Sequence, residues 1–167
     1  MSANNKNQNL TNLASPKIGT KIIEVSDDFF GEASRMLDDK EPVFIENKYD
    51  EHGKWMDGWE SKRRRDGGND WAIIELGSPG IITEIDVDTS FFTGNFPPFA
   101  SIEGLYSDQK PSKDSDWIEI LSKTSLKGDS GNKFKIETKT KVNYIKLQIF
   151  PDGGVARLRL FGEVQLN

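Results

Sequence analysis

With 167 residues the chain is long enough to bury one sizeable core and too short for two ordinary domains. Acidic residues outnumber basic ones, 27 to 22, and the net charge of -5 argues against a general attraction to nucleic acid or anionic membrane. The absence of cysteine excludes disulfide staples, thiolate metal sites and a cysteine nucleophile.

Residues 1–16 are dominated by Asn, Ser, Thr and Gln, with Leu10 and Leu13 as the bulky apolar residues, and read as a flexible leading segment before a single domain over 17–167. No apolar run near the start follows a basic segment, and none anywhere approaches a membrane span, so a cytoplasmic protein with no membrane partner is the expectation. Behind a Ser26 cap and the acids Asp27 and Asp28, the residues Phe29, Ala33, Met36 and Leu37 recur at helical spacing, which predicts a short helix over 26–37.

From there the period changes to two. Strands are predicted at Trp71–Leu76, Ile81–Thr89, Ala100–Tyr106, Trp117–Leu121, Lys133–Glu137, Val142–Phe150 and Val155–Val164, separated by Gly, Pro, Asn and Asp signals. In the second of these Ile81, Ile85 and Val87 alternate with Glu84, Asp86 and Asp88, the mark of a strand with one core face. The last two read as a hairpin: Ile145, Leu147 and Ile149 share one side, Pro151-Asp152-Gly153-Gly154 turns the chain, and Ala156, Leu158 and Leu160 share one side of the return strand. That leaves Arg157 and Arg159 together on the opposite side. The sum is an all-β antiparallel sandwich with one early helix and no internal repeat.

Three segments carry candidate chemistry. Gly53-Lys54-Trp55-Met56-Asp57-Gly58-Trp59-Glu60-Ser61-Lys62-Arg63-Arg64-Arg65 offers aromatic walls, carboxylates that accept hydrogen bonds from amide-like nitrogens, and guanidinium groups suited to an anion. The plainer reading is a solvated basic run beside two partly buried tryptophans. Asp88-Thr89-Ser90-Phe91-Phe92-Thr93-Gly94-Asn95-Phe96-Pro97-Pro98 leads a strand into a loop rich in hydroxyl, acid and amide groups, a common place to hold a small polar ligand; its phenylalanines fit core or interface better. Phe150 to Arg159 adds Asp152, which either satisfies turn amides or reaches a ligand, and the two arginines. His52, the one histidine, offers no triad, and no metal-ligand spacing is visible, although a carboxylate site for a hard cation stays open.

These three blocks, with Asp70-Trp71 between them, resemble in order the signature blocks of the allantoicases, and the resemblance spans roughly Val43 to Val164 with a weaker echo at Asp28-Phe29-Phe30. Where relatives often read Gly-His-Asp-Trp, this chain has Gly68-Asn69-Asp70-Trp71. The resemblance implies a jelly-roll sandwich of the galactose-binding, discoidin-like type. It also implies hydrolysis of allantoate, a small anion with one carboxylate and two ureido groups, to ureidoglycolate and urea. Allantoicases usually hold two tandem units and this chain matches one, so a homo-oligomer that recreates the pair is expected, with Phe91, Phe92, Phe96 and Phe99 as its aromatic patch.

On that footing Asp57, Glu60 and Asp152 are candidate acids and bases, and Arg63, Arg64 and Arg157 candidate anion clamps. Trp59, Asp88, Ser90, Thr93 and Asn95 are further candidate substrate contacts, and neither metal nor cofactor is expected. Two alternatives remain beside the enzyme: a discoidin-like module that binds a ligand without catalysis, and a structural subunit of an allantoicase assembly.

Overall fold

A computed structural model describes residues 10–166. Its organising element is one long strand, β6 (Asp70–Asp88, 19 residues), which fuses the two strands expected at 71–76 and 81–89. The intervening Gly77-Ser78-Pro79-Gly80 bends the strand without ending it; at Gly77 the backbone runs against the Ile18 carbonyl, where a β-carbon would collide. The bend lets one strand serve two sheets.

The remaining strands are β1 (Thr11–Asn12), β2 (Lys21–Val25), β3 (Tyr49–Asp50), β4 (Gly53–Lys54), β5 (Trp59–Glu60), β7 (Phe99–Leu105), β8 (Ile118–Ser125), β9 (Gly131–Lys135), β10 (Lys141–Phe150), β11 (Gly154–Val155) and β12 (Arg157–Val164). Before the bend, β6 pairs antiparallel with β2 and β10, and β10 continues through β7 to β8. Beyond it, β6 pairs with β9 and β12, and β12 with β1. The inner faces enclose one core: Ala72, Ile74, Ile145, Leu147, Ile149 and Ile102 from the first sheet meet Ile85, Val87, Leu158 and Leu160 from the second. Ile145, Leu147, Ile149, Ile85, Val87, Leu158 and Leu160 are positions the period-two pattern marks, whereas Ala72, Ile74 and Ile102 lie in strands whose inward face the pattern leaves unmarked; each large aliphatic side chain removed from water contributes about 1.5–3 kcal/mol before chain entropy is subtracted. The antiparallel sandwich expected from the sequence is therefore present.

The expected helix over 26–37 is not. One 3-10 turn, Ala33–Leu37, holds Ala33, Met36 and Leu37 in the core, and the residues before it form bends and a single bridge at Gly31. There the backbone is engaged elsewhere: the Phe30 and Gly31 amides both donate to the Glu60 carbonyl at 3.1 Å, and the Glu60 amide donates to the Gly31 carbonyl at 3.0 Å. Long-range pairing outweighs a weak local helical pattern. Ser26 caps no helix; its hydroxyl donates to Asp70 Oδ1 at 2.8 Å and accepts from the Trp71 amide.

The closing hairpin is also corrected. β10 and β12 do not pair with each other but flank β6, one in each sheet, so residues 151–156 carry the chain across the sandwich. Of the leading segment expected over 1–16, residues 1–9 lie outside the described residues. Within the rest, β1 pairs with β12, the Leu13 amide donates to the Leu160 carbonyl at 2.7 Å, and Leu13 and Ala14 are fully buried.

Candidate active site

Glu60 lies on the two-residue strand β5, which pairs with β11 on one side and with Gly31 on the other. Its neighbour Trp59 fixes the strand: the indole is wholly buried and its Nε1 donates to the Asp27 carbonyl at 2.8 Å. Trp59 is thus an anchor and not the ligand wall expected of it. Gly58, just before, passes so close to the Val155 carbonyl that a β-carbon would overlap it, which explains a glycine at that position.

Alternation then turns the Glu60 carboxylate away from the core, into a cavity of about 270 Å³ lined by Glu60, Thr93, Asn95, His52, Lys54 and Phe91 among others. Asn95 Nδ2 donates to Glu60 Oε2 at 2.8 Å. Burial pushes the Glu60 carboxyl above the ordinary carboxylate range, and the Asn95 bond opposes that push in part.

The loop that brings Thr93 and Asn95 to the cavity is fastened at several points. Asp88 Oδ1 accepts from the Ser90 amide at 2.8 Å and the Ser90 hydroxyl at 2.6 Å, so these two predicted contacts shape the loop's first turn. Thr89 is buried, with its hydroxyl donating to the Lys127 carbonyl at 2.6 Å, and the Asn95 carbonyl accepts from the Gly154 amide at 2.8 Å. Phe91 sits at φ 72, a left-handed conformation unusual for a bulky side chain, and its amide is held by Asp129 Oδ1 at 2.8 Å. Strain of this kind persists where surroundings over-determine it, often beside a functional cleft.

The opposite rim is the hairpin β3–β4, which presents His52 and Lys54. His52 stacks on Phe29 with ring centroids 4.0 Å apart, and Lys48 lies 4.1 Å over the Trp55 ring at the hairpin base. Neither His52 nor Lys54 was a candidate by sequence. Lys54 falls inside the first block, and its position six residues before Glu60 gives no sign that a hairpin folds it back over the same space.

The other candidates lie outside this cavity. Arg157 is 1% exposed: its Nη2 donates to Asp57 Oδ2 at 2.8 Å, its Nη1 to Asp57 Oδ1 at 3.1 Å, and its Nε to the Lys40 carbonyl at 2.8 Å. Asp57 and Arg157 therefore neutralise each other behind the site and tie the segment 35–40 to β12. Strand alternation places Arg157 opposite Leu158 correctly, but that face is covered by the segment 35–40 and not by water. Arg64 donates through Nη1 to the buried Asp70 at 2.8 Å and through its amide to Asp152 Oδ2 at 2.7 Å, so Arg64 and Asp152 join two loops at another edge. Asp66 and Asp70 hold the Arg64 guanidinium more firmly charged. Arg63 is exposed and does not line the Glu60 cavity. Nor do the four phenylalanines form one patch: Phe92 is buried against Met56 and Ala156, Phe96 packs beside it, and only Phe91 and Phe99 are exposed, with Phe99 at a separate cavity. Among the described residues no cluster of three or more acidic or histidine side chains is placed to hold a metal, and no helix is long and apolar enough to cross a membrane.

Similarity to known proteins places the chain in one family. A family model described as the allantoicase repeat matches residues 11–165. A probable allantoicase of Acinetobacter baylyi is 49% identical over 158 residues, covering 95% of this chain and 47% of that protein. A probable allantoicase of Burkholderia mallei is 46% identical over 157 residues, with 93% and 47% covered. The chain thus spans about half the length of the curated relatives it matches. A crystal structure of allantoicase from Saccharomyces cerevisiae superposes with a TM-score of 0.81 at 32% identity, covering 95% of this chain and 49% of that one. A carbohydrate-binding module from Clostridium perfringens, at 12% identity and a TM-score of 0.62, shares the sandwich fold.

Proposed function

The chain belongs to the allantoicase family, and from that premise we propose that it hydrolyses allantoate to ureidoglycolate and urea in the cavity beside Glu60. The observation that carries the assignment is a half-buried carboxyl that is bonded to Asn95 at 2.8 Å and lines one small cavity with Lys54 and Thr93; burial raises its pKa.

In this reading the Lys54 ammonium holds the substrate carboxylate. Asn95, whose Nδ2 is engaged by Glu60, offers Oδ1 to a ureido N–H, and the Thr93 hydroxyl serves the second ureido arm. Protonated Glu60 gives its proton to the departing ureido nitrogen as the carbon–nitrogen bond breaks and that nitrogen takes the electron pair. The lone pair of the remaining ureido nitrogen supports the electron-poor central carbon. Water then adds its oxygen to that carbon and returns a proton to the Glu60 carboxylate, so no covalent enzyme intermediate is required. Trp59, Asp57, Arg157, Arg64, Asp152, Asp88 and Ser90 hold the strands and loops that frame this chemistry. A cysteine-free chain gains nothing from an oxidising compartment, and the reaction is assigned to the cytoplasm.

The test is a steady-state comparison at Lys54. Lys54→Met should raise KM for allantoate by tenfold or more while changing kcat far less, and Lys54→Arg should recover most of the loss. An unchanged KM in a folded Lys54→Met protein removes the cation from the site and with it this orientation of substrate.

A further inference from the structure

A second cavity, of about 540 Å³ against about 270 Å³ beside Glu60, lies on the outer face of the first sheet and shares no lining residue with the Glu60 cavity. Strand alternation sets its floor. With Ile145, Leu147 and Ile149 in the core, Lys146 and Gln148 of β10 face outward, Gln148 paired with Trp71 of β6 and Lys146 with Glu103 of β7. Two loops wall it. Residues 64–69 bring Arg64 and Asn69, and the connection from β7 to β8 brings Lys113, whose carbonyl accepts from Lys146 Nζ at 3.0 Å, and Trp117, whose ring lies 5.3 Å from that ammonium. Asn69 Nδ2 donates to Gln148 Oε1 at 3.1 Å and so ties one wall to the floor.

The lining is cationic in a chain whose net charge is -5: Arg64, Lys113 and Lys146 stand there against one acid, Asp114. Each cation keeps hydrogen-bond donors in reserve. Of the five N–H groups of Arg64, Nε and Nη2 each give one to Asp66 and Nη1 gives one to Asp70, which leaves two. Lys146 is only 7% exposed, yet its carboxylate partner, Glu103 Oε1, stands 3.5 Å away and also accepts from the Gln148 amide. A buried ammonium so distantly paired is incompletely compensated. The Lys113 ammonium is in no ion pair among the described residues, and the Trp71 indole N–H, unlike those of Trp59 and Trp117, has no protein acceptor there. Asp66, Asp70 and Glu103 orient the cations from outside the lining. The surplus is therefore of donors and positive charge, which is complementary to a ligand rich in acceptor oxygens.

We propose that this cavity binds a small oxyanion, the carboxylate or phosphate group of a metabolite-sized ligand, between Arg64, Lys113 and Lys146. Its volume suits such a ligand, and the Trp71 ring gives an apolar surface for the body that carries the charge. The proposal does not depend on the catalytic reading of Glu60.

Titration of the nitrogen-15-labelled full chain with inorganic phosphate, and separately with malonate, tests this by nuclear magnetic resonance, with ionic strength held constant by sodium chloride so that screening does not change. The Asn69 backbone amide and the Trp71 indole N–H should shift saturably. Lys113→Glu, at an exposed position, and Lys146→Met should each weaken binding by about tenfold or more. Lys139→Glu, the same charge change on another surface, and Lys54→Met, in the Glu60 cavity, should leave it within about twofold. Saturation by phosphate alone assigns a phosphate ligand, by malonate alone a carboxylate, and by both the oxyanion chemistry they share. No saturable shift with either anion, binding unchanged in a folded Lys113→Glu protein, or binding lost in Lys54→Met instead would each overturn the inference.

Discussion

At Glu60 burial opposes ionisation and raises the carboxyl's pKa, and the Asn95 hydrogen bond offsets part of that rise. If protonated Glu60 is the acid, kcat/KM falls as pH rises through that elevated pKa. Asn95→Ala removes the contact that favours the charged form, so the falling limb should move to higher pH; a limb that stays in place in a folded variant would assign the titration to another group. Asp86 provides a stability counterpart. Burial and then the neighbouring Asp88 raise its pKa to about 6 from 3.8, so the folded state binds this proton more tightly than the unfolded chain does. Its contribution to stability is present below pH 3.8 and lost as pH rises through 6. Asp86→Asn should therefore stabilise by about 1 kcal/mol at neutral pH, an amount already discounted for partial solvent screening, with the gain fading in acid. Paired thermal melts at acid and neutral pH measure it; equal shifts at both would remove the charge from the account. The sequence marks Glu60, Thr93 and Asn95 because polar side chains crowd loops that follow strands. It does not mark Lys54 or His52, since their place depends on how a hairpin folds over a cavity.

The elements around the site are held by polar ties as well as by the core. Arg157 joins β12 to Asp57 and to the carbonyls of the segment 35–40, with side-chain exposures of 2% and 10% for the pair. Arg157→Ala would leave Asp57 poorly solvated and several carbonyls without donors, which should cost about 3–5 kcal/mol. Guanidinium denaturation reads this directly: an unchanged midpoint with impaired turnover would return Arg157 to substrate binding. Strand periodicity made the inner faces of β6, β10 and β12 legible because burial on one side imposes a period of two. It could not show that β10 and β12 lie on either side of β6, because a Pro-Asp-Gly-Gly turn closes a hairpin and a crossing equally well. The missing helix has a similar cause, since nothing local announces that Phe30 and Gly31 bond to Glu60.

For the whole molecule, the bent strand β6 gathers the loops 89–98 and 151–156, strand β5 and the hairpin β3–β4 at one end of a rigid sandwich, where a small cavity forms. The family explains why these blocks are present together. Turnover of allantoate through Glu60 is tested by urea release from allantoate by the purified chain at high concentration beside its Glu60→Gln variant. Steady urea release by the unaltered chain is expected, with a fall in kcat of about 10²–10⁴-fold in the variant and its fold retained. No urea from the folded chain, or a Glu60→Gln protein as active as the original, would contradict it.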